Sequence, residues 1–235
     1  MKALRSILTV GFLLLLAGVF GRVMKDWQPA EHTSTLAQSY LARSTEDLHC
    51  ANVVTSVVVT FRGLDTLGEV TVLFSSALAA GLVLGYRRRA GSGVTSALLS
   101  VSPLLRIALL GLCPVIFLMG FYIMANGHLS PGGGFQGGAV LASGFLAIYL
   151  ADLAAPIGDG FLKGLEAGSG LLYLLIGLAG IAMGLGFLNA SILPLGRLGA
   201  LVSAGSIPVI YVLIGLKVGS ELTAIAEAFK GHGHE

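Results

Sequence analysis

Three ionisable residues lie close together in one apolar stretch of the chain, within the segment FRGLDTLGE at residues 61–69. Arg62 and Asp65 are three positions apart, so on a helix their side chains can form an ion pair. Glu69, one turn further on, is then the carboxylate that remains able to exchange a proton or a small cation. Burial favours the neutral acid and a nearby Arg favours the carboxylate, and these opposing effects suit exchange near neutral pH. An alternative is a cluster at the end of a helix, whose charges only reach out to water.

Two glycines in the same segment, Gly63 and Gly68, can unwind a helix locally and expose backbone carbonyls to a cation or to water. The flanking residues are apolar, which would place the charges inside a membrane, where an unpaired charge costs at least about 2.5–3.5 kcal/mol. We therefore predict a helix that is broken over Phe61 to Glu69, with Glu69, Asp65 and Arg62 lining a route for ions.

A second interruption, GHLSPGGGFQGG at residues 127–138, separates two apolar runs of spanning length. The consecutive glycines after Pro131 are too flexible for a helix interior, so we predict a tight hairpin. Gly137 and Gly138 would let another helix backbone approach closely. His128, with an ordinary pKa of about 6.5, is a candidate to relay protons or to order the mouth of an ion route, although a histidine in a loop is often incidental.

The last apolar run carries Lys217 and Glu221, four positions apart near its end. This spacing favours an ion pair whose charged ends reach the membrane surface. Lys217 also lies deep enough to close an inner half-path for protons, if the helix kinks at Pro208 and admits water. Gly180 and Gly184 form a GxxxG pattern, which is typical of close helix packing.

The elements that must position these residues are six apolar segments. The 235-residue chain is 55% hydrophobic and 11% charged, whereas soluble domains devote about a quarter of their residues to charge. Its 34 glycines fall within the apolar runs as well as in the turns, as in closely packed membrane helices. We predict an all-α polytopic membrane protein whose second span is broken, with spans near residues 4–21, 51–86, 103–125, 135–153, 168–188 and 198–222.

The distribution of basic residues predicts the orientation of these spans, because Lys and Arg concentrate on the cytoplasmic side of a membrane. With both termini inside, the cluster Arg87 to Arg89 faces the cytoplasm together with Lys2 and Arg5. Counting residues 51–86 as two spans would turn that cluster outward, so one broken span is preferred. The outer segment at residues 23–49 is predicted to hold an amphipathic helix on the membrane surface.

The composition also argues against several functions. The net charge is only +2 and the basic residues are dispersed, which argues against nucleic acid as a partner. Cys50 and Cys113 lack the ligand spacing of a metal site, so we interpret them as packing residues and expect no metal or cofactor. A stretch rich in Gly and Ser after Arg89 divides the chain into two predicted domains, residues 1–90 and 91–235.

The two interrupted motifs carry a family likeness that covers nearly the whole chain. NVVTSVVVTFRGLDTLGE at residues 52–69 resembles the C-terminal module of the large A subunit of Mrp-type multisubunit Na+/H+ antiporters, which recurs as a small subunit in membrane-bound hydrogenases. GHLSPGGGFQGGAVLASG at residues 127–144 resembles the signature loop of the B subunit of the same antiporters. The resemblance implies two spans for the first module and four for the second, among other membrane subunits in a prokaryotic plasma membrane.

The resemblance also implies a role in moving Na+ or H+, in an assembly related to respiratory complex I that an ion gradient or a redox enzyme drives. Glu69 corresponds to the acidic group of the family within the membrane, with Asp65 and Arg62 beside it, and His128 corresponds to the loop histidine. The fusion of an A-type to a B-type module departs from a plain antiporter and leaves open a redox-driven relative, linked to a hydrogenase or to formate. A structural connector without its own ion path is a further alternative. In each case the chain would be part of a larger complex, not itself an enzyme.

Overall fold

The computed structural model describes residues 2–26, 33–89, 102–151 and 159–230. Within these ranges the chain is built from helices and loops, with one isolated β-bridge between Gly196 and Ser203. The helices are α1 (Lys2–Asp26), α2 (Thr35–Glu46), α3 (Val53–Ser56), a π-helical turn (Val57–Phe61), α4 (Gly63–Arg89), α5 (Pro103–Ala125), α6 (Gly134–Ala151), α7 (Asp159–Ala182), a 3-10 turn (Ala190–Ile192) and α8 (Ile207–Lys230).

Among the described residues, six helices are long and apolar enough to cross a membrane, namely α1 and α4 to α8. The prediction of an all-α polytopic membrane protein with about six spans is therefore confirmed. α5 matches its predicted bounds at both ends. The predicted domain boundary between residues 90 and 91 lies outside the described residues.

The last two spans differ in position from the prediction. α7 ends at Ala182 and α8 begins at Ile207, whereas the apolar runs suggested spans at 168–188 and 198–222. Between these helices lies an apolar loop that turns through positive backbone angles, with φ 74° at Gly184 and 56° at Leu188. Leu188 is 0% exposed, but most of the loop is exposed, including Leu198 at 50% and Val202 at 82%. The loop is therefore as apolar as a span without forming a helix, and hydropathy alone does not distinguish it from one.

The chain divides into two compact units, residues 1–38 and residues 39–235. α1 belongs to the first unit, and its large apolar side chains are exposed. In the second unit α8 packs against α4, α5, α6 and α7. We call the end of the helices that carries the α5–α6 and α7–α8 connections the hairpin side, and the opposite end the far side.

Glycines let α6 approach α5 and α8 closely. A Cβ added at Gly138 would lie 2.6 Å from Gly215 O in α8, and a Cβ at Gly137 would lie 2.9 Å from Gly120 O in α5. Gly180 instead packs against the backbone of the loop that follows α7, and Gly184 lies in that loop with open space around it. The GxxxG pattern of α7 therefore serves a helix end and a turn, and not a contact between two helices.

Candidate functional site

The helix of the second span is irregular at Arg62 but is not unwound. After α3, residues 57–61 form a π-helical turn, and Arg62 itself leaves the helical region with φ −125° and ψ 33°. α4 begins at the next residue, and both Gly63 and Gly68 lie inside it. The break predicted over Phe61 to Glu69 is therefore not evident as an unwound stretch, and the irregularity is confined to the π-helical turn and Arg62.

Thr66 explains why the irregularity is so short. Its hydroxyl donates to Val58 O at 2.6 Å, and Arg62 N donates to Val57 O at 2.8 Å, so carbonyls displaced by the π-helical turn are satisfied locally. Thr66 is 1% exposed and faces the core. The carbonyl site for a cation that Gly63 and Gly68 suggested is consequently not formed by the described residues.

Arg62 and Asp65 form an ion pair, as their spacing indicated. Arg62 Nε lies 2.6 Å from Asp65 Oδ2, and Arg62 Nη2 contacts the same oxygen. The two side chains are 64% and 53% exposed, and Glu69 is exposed as well. These three side chains thus lie on a face of α4 that the described helices of the second unit leave uncovered.

The adjacent face of α4 packs into the core and reaches Tyr173 of α7. Tyr173 OH donates to Gly63 O at 3.3 Å, and a Cβ at Gly63 would lie 2.9 Å from Leu188 Cδ1. Tyr173 is 3% exposed, and Glu69 is close enough to act on it electrostatically. Tyr173 therefore joins α7 to the start of α4 in the interior of the helix bundle.

Aromatic residues cover the start of this segment. Tyr40 of α2 stacks on Phe61 with ring centroids 5.0 Å apart and planes inclined by 15°. The Arg43 guanidinium lies 5.0 Å from the centre of the Phe61 ring and pairs with Asp47 at 3.2 Å. α2 thus places a cation and a stacked ring next to the residue that precedes Arg62. The sequence predicted α2 only as a surface helix.

His128 lies apart from the Arg62–Glu69 cluster, at the hairpin side. It is 0% exposed, and neither ring nitrogen has a well-formed hydrogen bond to the described residues. Burial lowers the pKa of His128 from its ordinary value, although nearby backbone groups of Ala200, Leu201 and Ala125 partly oppose this effect. The imidazole is therefore held neutral, in a place without direct access to solvent.

Polar residues just before and within α3 bond to the loop between α5 and α6 and to α8, and the sequence did not predict these contacts. Asn52 Nδ2 donates to Gly127 O at 2.9 Å and to Ser130 O at 2.8 Å. Thr55 Oγ1 donates to Gly127 O at 2.6 Å and accepts from Tyr211 OH at 3.1 Å. We call these residues, Asn52, Thr55, Gly127, Ser130 and Tyr211, the hairpin knot. The acceptors are backbone carbonyls of a distant loop, which carry no sequence signal.

Lys217 and Glu221 form an ion pair of 2.7 Å, which is buried within the chain and not exposed as the spacing suggested. The side chains are 14% and 0% exposed. Lys217 Nζ also lies 5.0 Å from the centre of the Phe74 ring of α4. The pair is buried because α4 and α7 both pack over this part of α8.

The described residues contain no group of three or more His, Cys, Asp or Glu side chains placed to hold a metal ion. Cys50 and Cys113 are both buried free thiols whose Sγ atoms contact backbone carbonyls. Burial raises the pKa of the Cys50 thiol, which keeps it protonated. The two thiols therefore pack in the interior of the chain.

Two family models match separate parts of the chain. Residues 104–224 match a family described as a domain related to the MnhB subunit of Na+/H+ antiporter. Residues 13–98 match the family of the E subunit of MBH. A relative from Rhizobium meliloti (strain 1021), named as the A/B subunit of a probable K(+)/H(+) antiporter, is 30% identical over 142 residues. That match covers 50% of this chain and only 14% of the relative.

Solved structures of two membrane complexes contain similar chains. A chain of the membrane-bound sulfane sulfur reductase, an archaeal respiratory membrane complex, is 35% identical with a TM-score of 0.80, and the match covers 96% of this chain and 98% of that chain. A chain of the Mrp complex from Dietzia sp. DQ12-45-1b is 27% identical with a TM-score of 0.72, and the match covers 95% of this chain and 26% of that chain. These findings confirm the resemblance that the two motifs indicated.

Proposed function

Because the chain belongs to the family of domains related to the MnhB subunit of Na+/H+ antiporters, we propose that it contributes directly to translocation of Na+ or H+ in a multisubunit cation/proton antiporter. It is a membrane subunit related to Mrp antiporter subunits and to membrane-bound respiratory complexes. One observation carries the proposal. Glu69 lies beside the Arg62–Asp65 ion pair, on a face of a candidate membrane span that the described helices of the second unit leave uncovered.

An uncovered charged face is unfavourable against lipid, because each unpaired charge near the membrane centre costs at least about 2.5–3.5 kcal/mol. The related solved chains stand in membrane complexes, so a neighbouring subunit would cover this face. Glu69 would exchange the ion at that boundary, since Asp65 is already engaged by Arg62. Arg62 and Asp65 would tune the charge on Glu69 electrostatically.

His128 and Lys217 would act at the two ends of the route. His128 is fully buried and its lowered pKa keeps it neutral, which supports ordering of the outer mouth and not collection of protons. Lys217 lies on α8 beyond the level of Tyr211, towards the far side, and would influence the inner part of the route. The chain would act as a transport subunit, with any redox activity located in partner subunits.

The orientation that fits the basic residues places the hairpin side outward and both termini in the cytoplasm of a prokaryotic cell, in the plasma membrane. The two family matches, at residues 13–98 and 104–224, support the division into modules 1–90 and 91–235. The Gly137 and Gly138 contacts of α6 would hold the second module together internally.

The test is Glu69→Gln in the intact complex, with Glu46→Gln on α2 as a matched control at an exposed carboxylate outside the spans. Cation-driven proton movement in everted membrane vesicles should be abolished in the first variant and retained in the second. Native gel electrophoresis should find both complexes assembled. Normal transport in the assembled Glu69→Gln complex would contradict the proposal.

A second candidate is the membrane arm of a redox-driven complex, because the similarity to the sulfane sulfur reductase chain extends over nearly both whole chains. In that case ion movement would require a reductant and not only an ion gradient. The role of Glu69 would be unchanged. A purely connecting role is supported by the hairpin knot, and it would be favoured if Glu69→Gln left ion movement intact.

A further inference from the structure

A pocket of about 280 Å³ lies between α4, α7 and α8, in the half of these helices nearer the far side. α4 contributes only apolar residues to its wall, including Phe74 and Leu78. The polar groups come from the other two helices, where Lys163 and Glu166 of α7 and Glu221 of α8 line the space. The pocket therefore lies against a carboxylate that is itself buried.

Glu221 is the unusual group in this pocket. The residue is 1% exposed, and apart from the ion pair with Lys217, neither carboxylate oxygen has a hydrogen-bond donor among the described residues. A buried carboxylate normally has several donors, because leaving an oxygen unsatisfied is costly. Glu221 is thus under-satisfied for a purely structural anion.

Polar groups continue from this pocket towards Glu69. Lys163, Glu166, Gly170 and Tyr173 follow one another at intervals of three or four residues, so they share one face of α7. Gly170 leaves room for the Lys217 side chain, whose Nζ lies 3.6 Å from the position a Cβ would take there. Tyr173, at the end of this row, interacts electrostatically with Glu69.

We propose that Glu221 is a second protonation site of this chain, which exchanges protons with water in the far-side pocket and is electrostatically linked to Glu69 through Lys217 and Tyr173. The inference rests on the proposed function in so far as Glu69 exchanges ions. It adds a protonation site at Glu221 and an entrance for protons through the far-side pocket.

The ligand of this site is a proton and not Na+. A sodium ion needs several oxygen ligands, whereas a proton needs one, and here the Lys217 ammonium already lies 2.7 Å from the carboxylate. The charged groups around Glu221 are Lys217 on its own helix and Lys163 and Glu166 on α7, of which Glu166 is close enough to repel the Glu221 carboxylate. α6 carries only Tyr149 as a titratable side chain, and the α4 residues that line the pocket carry none.

The proton transfer is a simple exchange. A hydronium ion that enters the pocket gives its proton to the Glu221 carboxylate and leaves as water. The Lys217 ammonium then lacks its counter-charge, and this change in charge is the electrostatic signal that the row of α7 residues would carry towards Glu69. Loss of the proton from Glu221 restores the ion pair.

The test is the double variant K217M/E221Q in the intact complex. Removing one partner of a buried ion pair strongly destabilises a protein, whereas replacing both partners is often tolerated. We expect the double variant to assemble but to move protons at least about tenfold more slowly, as for loss of a proton-transferring group. Normal transport by an assembled double variant would overturn the inference and leave the pair a structural one.

A second measurement tests the entrance without changing any charge. Ala224→Cys places a thiol on the pocket wall. A membrane-impermeant thiol reagent applied from the far side should label it and reduce transport. Leu104→Cys, on α5 and 79% exposed, is the control that should accept the reagent without loss of transport. If the thiol introduced by Ala224→Cys does not react, or reacts while transport stays complete, the proposed access is contradicted.

Comparison with Glu69→Gln separates the two proposals. If Glu69→Gln abolishes transport while K217M/E221Q transports normally, the second site is wrong and the proposed function stands. If K217M/E221Q loses transport while Glu69→Gln retains it, Glu221 is supported as a protonation site and its link to Glu69 is refuted.

Discussion

Replacing Thr55 by Val removes one hydroxyl from the hairpin knot and keeps the shape of the side chain. That hydroxyl donates to Gly127 O at 2.6 Å and accepts from Tyr211 OH at 3.1 Å. Thr55 is 0% exposed, so bulk water cannot replace either bond. Asn52 Nδ2 also donates to Gly127 O, at 2.9 Å. In the variant Gly127 O therefore keeps one donor, whereas the Tyr211 hydroxyl loses its acceptor.

These contacts set the expected loss of stability. A buried polar group left without a partner costs about 1–3 kcal/mol, so Thr55→Val should lower the free energy of unfolding by that amount. Asn52→Ala should cost at least as much, because it removes the bonds to Gly127 O and Ser130 O. Only the double variant leaves Gly127 O without either donor. We therefore expect the double variant to be less stable than the sum of the single effects by about 1 kcal/mol or more.

Pulse proteolysis of this chain in the purified complex, across a denaturant series, measures the four stabilities of this cycle. Thr71→Val is the matched control, because Thr71 is exposed and its hydroxyl donates only within its own helix, to Gly68 O at 2.7 Å. It should change stability by less than about 0.5 kcal/mol.

Two results would refute the reasoning. Single effects that add to within about 0.5 kcal/mol would mean that Asn52 and Thr55 do not share the Gly127 carbonyl. A Thr55→Val variant as stable as Thr71→Val would mean that the knot does not bind the first part of the chain to the second. In either case the connection between the two modules would have to lie elsewhere.

The other predictions concern helix packing and acid stability. Gly138→Leu should prevent α6 from packing on α8, because a Cβ there would lie 2.6 Å from Gly215 O, and native gels should find little assembled complex. The control Ala139→Leu, on the exposed face of α6, should assemble normally. Equal assembly of the two variants would contradict the packing argument. Burial lowers the pKa of His128, so below about pH 6.5 the unfolded chain takes up this proton more readily than the folded one, and stability should fall as the pH decreases through this range. His128→Gln should flatten that dependence in thermal unfolding at a series of pH values, and an unchanged slope would show that His128 titrates normally.

Features that depend on a few neighbouring residues could be predicted from the sequence. The long apolar runs identified the spans, and α5 has the predicted bounds because Ser102 and Pro103 mark its start and a glycine-rich hairpin follows its end. The Arg62–Asp65 pair could be predicted because three positions on a helix bring the two side chains together whatever packs around them.

Features that depend on distant neighbours could not be predicted. Lys217 and Glu221 have the spacing of a surface pair, but their burial is decided by α4 and α7, which pack over them. Thr55 is one polar residue in an apolar run, and its acceptor Gly127 lies 72 positions further along the chain. The apolar loop before α8 was predicted as parts of two spans because its hydropathy is that of a span, whereas positive φ angles at Gly184 and Leu188 turn the chain there.

Glu69 and Glu221 differ in whether a neighbouring subunit would contribute to their surroundings. Glu221 is enclosed by the chain itself and has a counter-charge, Lys217, at 2.7 Å, so the groups around it belong to the same chain. Glu69 lies on an exposed face where Arg62 is already engaged by Asp65, so its environment must be completed by a neighbour. The ionisation of a carboxylate that contacts a neighbouring subunit can change with the conformation of that subunit. The ionisation of an enclosed carboxylate responds mainly to the supply of protons in its own pocket. Coupling between this chain and the rest of an assembly should therefore act through the Arg62–Glu69 face of α4, and access from the far side through Glu221.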